Sequence, residues 1–346
     1  MDAFKRISLF GIVTMAELTY REALNQALRE EMRRDSRVFI IGEEVAYYQG
    51  TYKVTQNLLA EFGEQRVVDT PIAEEGIVGT AIGAAMTGLR PVAELMTVNF
   101  SLLAMDMIVN HAAKIRLMFN AQVDVPMVIR MPQSAGNQLG AQHSQLFEAY
   151  FMHCPGLRVV LPATPADAKG LLKTAIRDNN PVIFLENQSL YSIKGDVPAG
   201  EYLLPLGKAN VIREGEEITL ISYSKMVHEC LAAAEELAKD NISAEVIDLR
   251  CLNPLDKKTI FDSVKKTRFA IVVNEAWYTG SAGAEIASLI NENCFEYLDA
   301  PVKRISAYDI PMPYNKNLEQ AVLPHKDDIE KVAKRLLMGE ELWLKR

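Results

Sequence analysis

Two adjacent acids, Glu74 and Glu75, open the segment DTPIAEEGIVGTAIGAAMTG at residues 69–88. A carboxylate at the tip of a short strand, in the first turn of the next helix, stands where α/β sheets place ligand chemistry. There it can hold or pass a proton. The plainer reading is an acid complementing the positive end of the helix dipole, worth about 0.3–1 kcal/mol. The helix behind it is built of small residues, including Gly76, Gly79, Ala81 and Gly83. Interior glycines cost about 1 kcal/mol each against alanine, so close packing on a neighbouring element or ligand is expected.

Three further stretches carry chemistry-bearing residues. His143 lies in QSAGNQLGAQHSQ, a polar loop after a buried strand. A loop histidine is commonly only solvated, but loops at the C-terminal ends of strands also build sites, and imidazole titrates near neutrality. The run Ala175-Ile176-Arg177-Asp178-Asn179-Asn180-Pro181 reads as a helix C-cap and turn, or as a hard-cation site of carbonyl and Asp/Asn oxygens. Gly280-Ser281-Ala282-Gly283 opens a helix after a strand; a tight turn is the plainer reading there and anion binding the other. Walker-type phosphate loops, GxSxG and HExxH are missing. The five histidines (His111, His143, His153, His228, His325) have no ligand spacing, which speaks against a zinc enzyme.

Alternating helices and strands must position these residues. A helical stripe (Leu24, Ala27, Leu28, Met32) follows Thr19, with Glu22 completing a capping box, and ends in Arg33-Arg34. Apolar strands are expected at 38–42, 66–69, 91–96, 125–131, 158–162 and 181–186. Helices are expected near 74–87, 100–119, 144–151 and 165–178. Continuous apolar strands between helices mean a parallel sheet covered on both faces. Gly195, Pro198, Gly200, Pro205 and Gly207 interrupt the rhythm as a linker. A second series follows, with strands at 208–212, 217–223, 244–249, 268–274 and 302–306 and helices at 226–239, 255–265, 281–293 and 326–338. The fold class is therefore α/β with two doubly wound domains. Residues 1–14 read as an N-terminal extension, 15–195 as the first domain, 196–207 as linker and 208–346 as the second domain.

The 346 residues exceed one ordinary core, and 49% hydrophobic with 24% charged content is a globular balance that excludes disorder and fibres. Lys+Arg 37 against Asp+Glu 45 gives a net charge of −8, unsuited to general nucleic-acid binding. No apolar run is long enough to span a bilayer. Cys154, Cys230, Cys251 and Cys294 are dispersed and read as reduced thiols of a cytosol-like compartment.

Taken together, these segments resemble one family. GEEVAYYQGTYKV at 42–54, DTPIAEEGIVGTAIGAAMTGLRPVAE at 69–94, NFSLLAMD at 99–106, GAQHSQ at 140–145, HCPGLRVV at 153–160 and AKGLLKTAIRDNNPVIFLEN at 168–187 carry the likeness in the first half. EVIDLR at 245–250, GAEIA at 283–287 and YDIPMPY at 308–314 carry it in the second. The chain is similar to the beta subunits of the pyruvate dehydrogenase component of 2-oxo acid dehydrogenase complexes, in the thiamine diphosphate-dependent transketolase superfamily. The resemblance implies a pyrimidine-binding domain followed by a transketolase-like C-terminal domain, and half of an active site. An alpha subunit bearing a GDG…N signature would complete the site in an α2β2 heterotetramer and hold the diphosphate and Mg²⁺.

The implied activity is decarboxylation of pyruvate and transfer of the acetyl group to the lipoyl domain of the dihydrolipoyl acyltransferase core, leading to acetyl-CoA. Branched-chain 2-oxo acid or acetoin dehydrogenase beta subunits are the alternatives within the class, and a non-catalytic assembly module is the alternative outside it. The implied location is the bacterial cytoplasm, or an organelle. By the resemblance Glu74 matches the glutamate that hydrogen-bonds N1′ of the aminopyrimidine. A proton there favours the imino tautomer, whose nitrogen takes the thiazolium C2 proton, and the cofactor then serves as electron sink. Phe100 matches an aromatic packed on the pyrimidine. Leu102 falls at a cofactor-contacting position, although the pair Leu102-Leu103 replaces one that in many relatives contains Gln. Met131 stands where a Gly commonly follows the Arg. His143 matches a histidine that helps pass the acyl group to the lipoyl arm. Met127, Ala175, Ile176, Asp178 and Asn180 match a structural K⁺ site made mostly of backbone carbonyls. The resemblance also places Gly79 and Gly83 at the alpha–beta interface. Asp309 and Glu275 are acids that could meet basic residues of the acyltransferase, a solvated face being the plainer reading.

Overall fold

A computed structural model describes residues 5–8 and 11–340, with side chains from residue 14 onward. Most of the 1–14 extension assigned from sequence thus lies outside the described side chains. The chain forms two compact units. The first comprises the chain up to Gln133 together with Tyr150–Leu206, and the second comprises Ser134–Ala149 together with the chain from Gly207 onward.

In chain order the elements up to the second unit's main run are β1 (Lys5–Ser8), β2 (Gly11–Thr19), α1 (Tyr20–Arg34), β3 (Val38–Gly42), α2 (Leu58–Phe62), β4 (Val67–Asp69), α3 (Glu74–Met86), β5 (Arg90–Glu94), α4 (Ile115–Met118), β6 (Val128–Gln133), α5 (Glu148–Met152), β7 (Arg158–Val160), α6 (Pro165–Arg177), β8 (Val182–Asn187) and β9 (Lys194–Pro198). They are followed by β10 (Asn210–Arg213), β11 (Ile218–Ser222), α7 (Met226–Lys239), β12 (Ala244–Asp248), β13 (Cys251–Asn253), α8 (Lys257–Thr267), β14 (Ala270–Trp277), α9 (Ala282–Cys294), β15 (Lys303–Ala307), α10 (Lys316–Val322) and α11 (Lys326–Leu337).

The main sheet of the first unit runs β7-β8-β6-β5-β3-β4, parallel throughout. Its strands β6 and β8 are buried along their whole length, as continuous apolar runs require. The capping box of α1 forms as the sequence predicts: Glu22 N donates to Thr19 Oγ1 at 3.2 Å, and Thr19 N donates to Glu22 Oε2 at 2.8 Å. Leu24 and Leu28 of the α1 stripe are fully buried, each worth about 1.5–3 kcal/mol. Helix α6 packs on α1 through ion pairs, Lys173 Nζ to Glu30 Oε2 at 2.6 Å and Arg177 Nη2 to Glu31 Oε1 at 2.6 Å.

Two local differences from the sequence reading have identifiable causes. The single helix expected over 100–119 is instead a 3₁₀ segment Val98–Ala104, a π-helical turn Met107–Ala112 and α4. Ser101 Oγ donates to Val98 O at 2.6 Å and Asn99 Nδ2 to Thr97 Oγ1 at 2.7 Å, local bonds that compete with an α-helical ladder. Part of the stretch read as linker is β9, which pairs antiparallel with β2 from Met15 opposite Pro198 to Thr19 opposite Lys194.

In the second unit the sheet runs β10-β12-β11-β14-β15, with β10 antiparallel at the edge and the rest parallel. One face carries α7 and α11 over a core that includes Leu220, Val246, Val273, Leu237 and Ile329. At the turn into α9, Gly283 sits so near the buried Asn274 that a Cβ would lie 2.3 Å from Oδ1, and any side chain there would displace that amide. Asp309 is exposed and accepts from Thr279 N at 2.9 Å beside that turn, where its charge opposes an anion. The tight-turn reading of Gly280–Gly283 matches this geometry. Glu275, by contrast, is buried on β14 and belongs to no solvated face.

Candidate active site

The C-terminal edge of the first unit's sheet carries a row of acids. Strand β3 ends at Gly42, whose Cβ would lie 2.5 Å from Glu94 O, so glycine is needed for β5 to approach. Glu43 follows at once. Strand β4 ends at Asp69, whose carboxylate fixes the loop after Glu43 by accepting from Ala46 N at 2.6 Å and Tyr47 N at 3.2 Å. Thr70 N donates back to Gly42 O at 3.0 Å, and four residues later α3 begins at Glu74 with no side-chain cap on its first turn.

The two candidate glutamates part company here. Glu74 is 4% exposed, while Glu75 is exposed to solvent. Among the described residues the Glu74 carboxylate accepts no hydrogen bond and makes no ion pair. It lines an open groove of about 700 Å³ whose walls include Ile72, Gly79, Leu103 and Met107. Glu43 faces it electrostatically: burial, then the charge of Glu74, then that of Glu44 push the Glu43 carboxyl above its ordinary value. Sequence reasoning had no signal for Glu43 beyond its place directly after a strand-ending glycine. Two polar atoms of the same strand-end turns, Thr70 Oγ1 and Asn99 Oδ1, are buried without a hydrogen-bond partner among the described residues.

A different arrangement sits deeper along the same edge. Arg130 on β6 is fully buried and donates through Nε to Glu186 Oε1 at 2.6 Å, through Nη2 to Glu186 Oε2 at 2.8 Å and through Nη1 to Glu94 Oε2 at 2.5 Å. Tyr191 OH donates to Glu186 Oε2 at 2.8 Å. Burial holds the Glu94 carboxyl above its usual range despite Arg130, with Glu186 adding to the rise.

His143 is exposed, in the loop that belongs to the second unit. Its backbone N donates to Gly140 O at 3.2 Å. The loop is anchored within that unit by two buried acids. Glu319 of α10 accepts from Gly136 N at 3.0 Å and Gln138 N at 3.1 Å, and Glu275 accepts from Ala135 N at 3.2 Å.

Comparisons with known proteins match this arrangement in both halves. The transketolase pyrimidine-binding domain family covers residues 16–194, and the transketolase C-terminal domain family covers 207–329. The pyruvate dehydrogenase E1 component subunit beta of Rickettsia conorii is 50% identical over 92% of this chain and 98% of its own length. The mitochondrial beta-2 subunit of Oryza sativa is 51% identical over 92% of this chain and 86% of its own. The mitochondrial beta subunit of Dictyostelium discoideum is 49% identical over 94% of each chain. The chain belongs to the family of pyruvate dehydrogenase E1 beta subunits. A solved structure described as a split-gene transketolase, inactive beta4 tetramer, superposes with a TM-score of 0.77 at 21% identity, covering 94% of this chain and 99% of its own, which shows the shared fold. The two-domain α/β architecture expected from sequence is thus the fold of the family.

Within this E1 beta family member, the residues singled out by sequence lie mainly in three places: the groove of the first unit, the His143 loop of the second unit and the corner after α6. Glu74 lines the groove of the first unit, and there Leu103 and Met107 form the wall; Phe100, half-buried, and Leu102, exposed, are not among its lining residues. The glycines of α3 also differ: Gly79 packs against Met107 of its own chain, a Cβ lying 3.4 Å from its Sδ, while Gly83 faces open space. The third place is the corner after α6. Met127 O accepts from Val182 N at 2.9 Å and Ala175 O from Asp178 N at 3.2 Å. Arg90 Nη1 donates to Ile176 O at 2.9 Å and Asp178 O at 3.0 Å, and its Nη2 to Asn179 Oδ1 at 2.7 Å. Asp178 Oδ1 accepts from Asn180 N at 2.8 Å and Nδ2 at 2.7 Å. A guanidinium from the start of β5 therefore braces this turn, a contact across more than eighty residues that the local sequence could not reveal.

Proposed function

We propose that this chain is the beta half of a pyruvate-decarboxylating, acetyl-transferring enzyme, with Glu74 as the acid that works on a thiamine diphosphate aminopyrimidine. The observation that carries the reading is a nearly buried carboxylate with no hydrogen-bond or ion-pair partner among the described residues, opposed by a second acid and opening on a groove with apolar walls. The residues fit such a ring: an apolar wall of Ile72, Leu103 and Met107 suits its face, and Glu74 suits a protonated edge nitrogen. When bound, the cofactor supplies an electron sink for decarboxylation. Glu74 holds a proton at the pyrimidine edge; the Glu43 carboxyl nearby is raised above its ordinary value by burial and then by the charge of Glu74. Ile72 and Leu103 offer exposed apolar surface beside the Glu74 carboxylate, on which a ring could pack. The alpha subunit of an α2β2 assembly supplies the diphosphate and Mg²⁺ half, and the exposed Gly83 face of α3 meets it.

His143 serves the second half-reaction. There the acyl carbon's electron pair would form a bond to one lipoyl sulfur as the S–S bond breaks; the other sulfur would leave with that bond's electron pair and take a proton, which an imidazole delivers. The thioester would be freed as the carbon's bond to its carrier breaks, that electron pair staying with the carrier and the hydroxyl proton being given up to form the carbonyl. The acyl group rises from the aldehyde to the thioester oxidation level as the disulfide is reduced. The carbonyls of Met127, Ala175, Ile176, Asp178 and Asn180 are hard donors with spare lone pairs, suited to K⁺. Because Arg90 already spans two of them, the ion adds to a clamp that stands without it. We assign residues 15–195 and 208–346 to the two family domains and 196–207 to the stretch between them, although Ser134–Ala149 packs in the second compact unit and the stretch begins within β9. We assign a reducing compartment to the four buried, unbridged cysteines.

The test is Glu74→Gln in enzyme reconstituted with an alpha subunit. Pyruvate decarboxylation, read with an artificial oxidant, should fall about 10²-fold or more. An unchanged rate would leave the non-catalytic assembly module as the reading. Pyruvate should be turned over faster than 2-oxoisovalerate or acetoin; the reverse order would move the chain to a sister activity.

A further inference from the structure

The His143 loop is read from the first half of the sequence, yet the acids that hold it come from the last quarter. Glu319, fully buried in the first turn of α10, takes Gly136 N at 3.0 Å on Oε1 and Gln138 N at 3.1 Å on both oxygens. Glu275 takes Ala135 N at 3.2 Å and is itself paired with Lys225 Nζ at 3.2 Å. Packing agrees with the polar contacts, since Ala135 and Leu146 from the two sides of the loop join a cluster with Met312, Val322 and Leu323. Gly136, at φ +91, and Gln138, at φ +57, hold the turned-back conformation that aims successive amides at one carboxylate. A buried carboxylate that accepts several backbone N–H bonds fixes a loop more firmly than neutral acceptors do.

We propose that Glu319 is a positioning residue for acyl transfer, holding the loop that presents His143, with the Glu275–Lys225 pair as its second anchor. The inference rests on the reading of His143 given above. Glu319 touches backbone amides of the loop rather than any reacting group, so its influence runs through loop geometry. A displacement of about 1 Å at a reacting group can cost about 10²-fold, and under that reading His143 takes part only in the second half-reaction.

The experiment uses the reconstituted heterotetramer with pyruvate, comparing Glu319→Gln, His143→Ala and the double variant. Two rates are read: decarboxylation with an artificial oxidant, and acetyl appearance on an isolated lipoyl domain by mass spectrometry. Glu319→Gln keeps the shape and one acceptor oxygen but turns a donor toward the loop amides. Acetyl transfer should fall about tenfold or more toward the limit set by loop misplacement, decarboxylation should stay within about twofold, and amide exchange over 135–140 should quicken. The double variant should lose no more than His143→Ala alone, because coupled residues are non-additive. Equal loss of both rates, or unchanged acetyl transfer despite faster exchange, would overturn the inference. Unaltered transfer in His143→Ala would remove instead the reading beneath it, so the two failures are told apart.

Discussion

In the first unit, Glu94 and Glu186 close on Arg130, while Glu74 and Glu43 near the neighbouring strand ends have no ion-pair partner among the described residues. In the second unit, Glu275 is taken up by Lys225 and a loop amide, and Glu319 by two loop amides. Both sheets crowd carboxylates at their C-terminal edges. Wherever a donor answers the acid, it builds structure; the unanswered acid is the one available to a ligand. Burial alone does not mark a site, since Glu319 and Glu186 are more buried than Glu74.

The sharpest way to break the comparison is to make an answered acid unanswered. Arg130→Met leaves two buried carboxylates without their cation and should cost about 3–5 kcal/mol in urea unfolding; a loss under about 1 kcal/mol would mean water reaches them. Next in size, Glu74→Gln should cost catalysis about 10²-fold yet leave the thermal midpoint unchanged or slightly raised. A clear fall in the midpoint would show that the acid does hold structure. In the second unit, Tyr223 OH donates to the buried Glu148 at 2.9 Å. Tyr223→Phe should cost about 1–3 kcal/mol for the acceptor left behind, again by urea unfolding.

Smaller still is a pH effect at Glu43. Its carboxyl is raised by burial first and Glu74 second, so the unfolded chain gives up that proton at lower pH than the folded chain does. The stability tied to it is present below the ordinary value of 4.5 and is lost as pH rises through the folded value. Glu43→Gln should flatten that decline, and Glu74→Gln should flatten part of it; no change in either would separate the two acids. Least of all, at the proposed K⁺ site, exchanging K⁺ for a large organic cation should lower stability by on the order of 1 kcal/mol or less, because Arg90 remains. A large shift would mean that the ion, not the guanidinium, carries the turn.

Sequence alone carried most of the sheet strands and the place of Glu74 at a strand tip. The apolar runs at β3, β6 and β8 are long enough to name a covered parallel sheet, and the position of Glu74 after DTPIA places it at a strand tip. It did not carry 98–112, where Asn99 and Ser101 turn their own side chains to the backbone. It missed α10, although Asn315, which accepts from Asn317 N at 3.0 Å and Leu318 N at 3.3 Å, is a recognisable N-cap. The Arg90 and Glu319 clamps were invisible for another reason. Each joins residues far apart along the chain, and nothing in either local stretch announces the other.

The loop anchored by Glu319 also bears on how this polypeptide can be divided. A cut between residues 195 and 207 looks natural on the linear map, and two separately expressed pieces would seem to be two intact modules. The amino-terminal piece would carry Ser134–Ala149 away from Glu275 and Glu319, and the carboxyl-terminal piece would keep two buried acids and an apolar seat with nothing to receive. Fragment complementation, rather than independent folding, is the behaviour such a threaded boundary dictates.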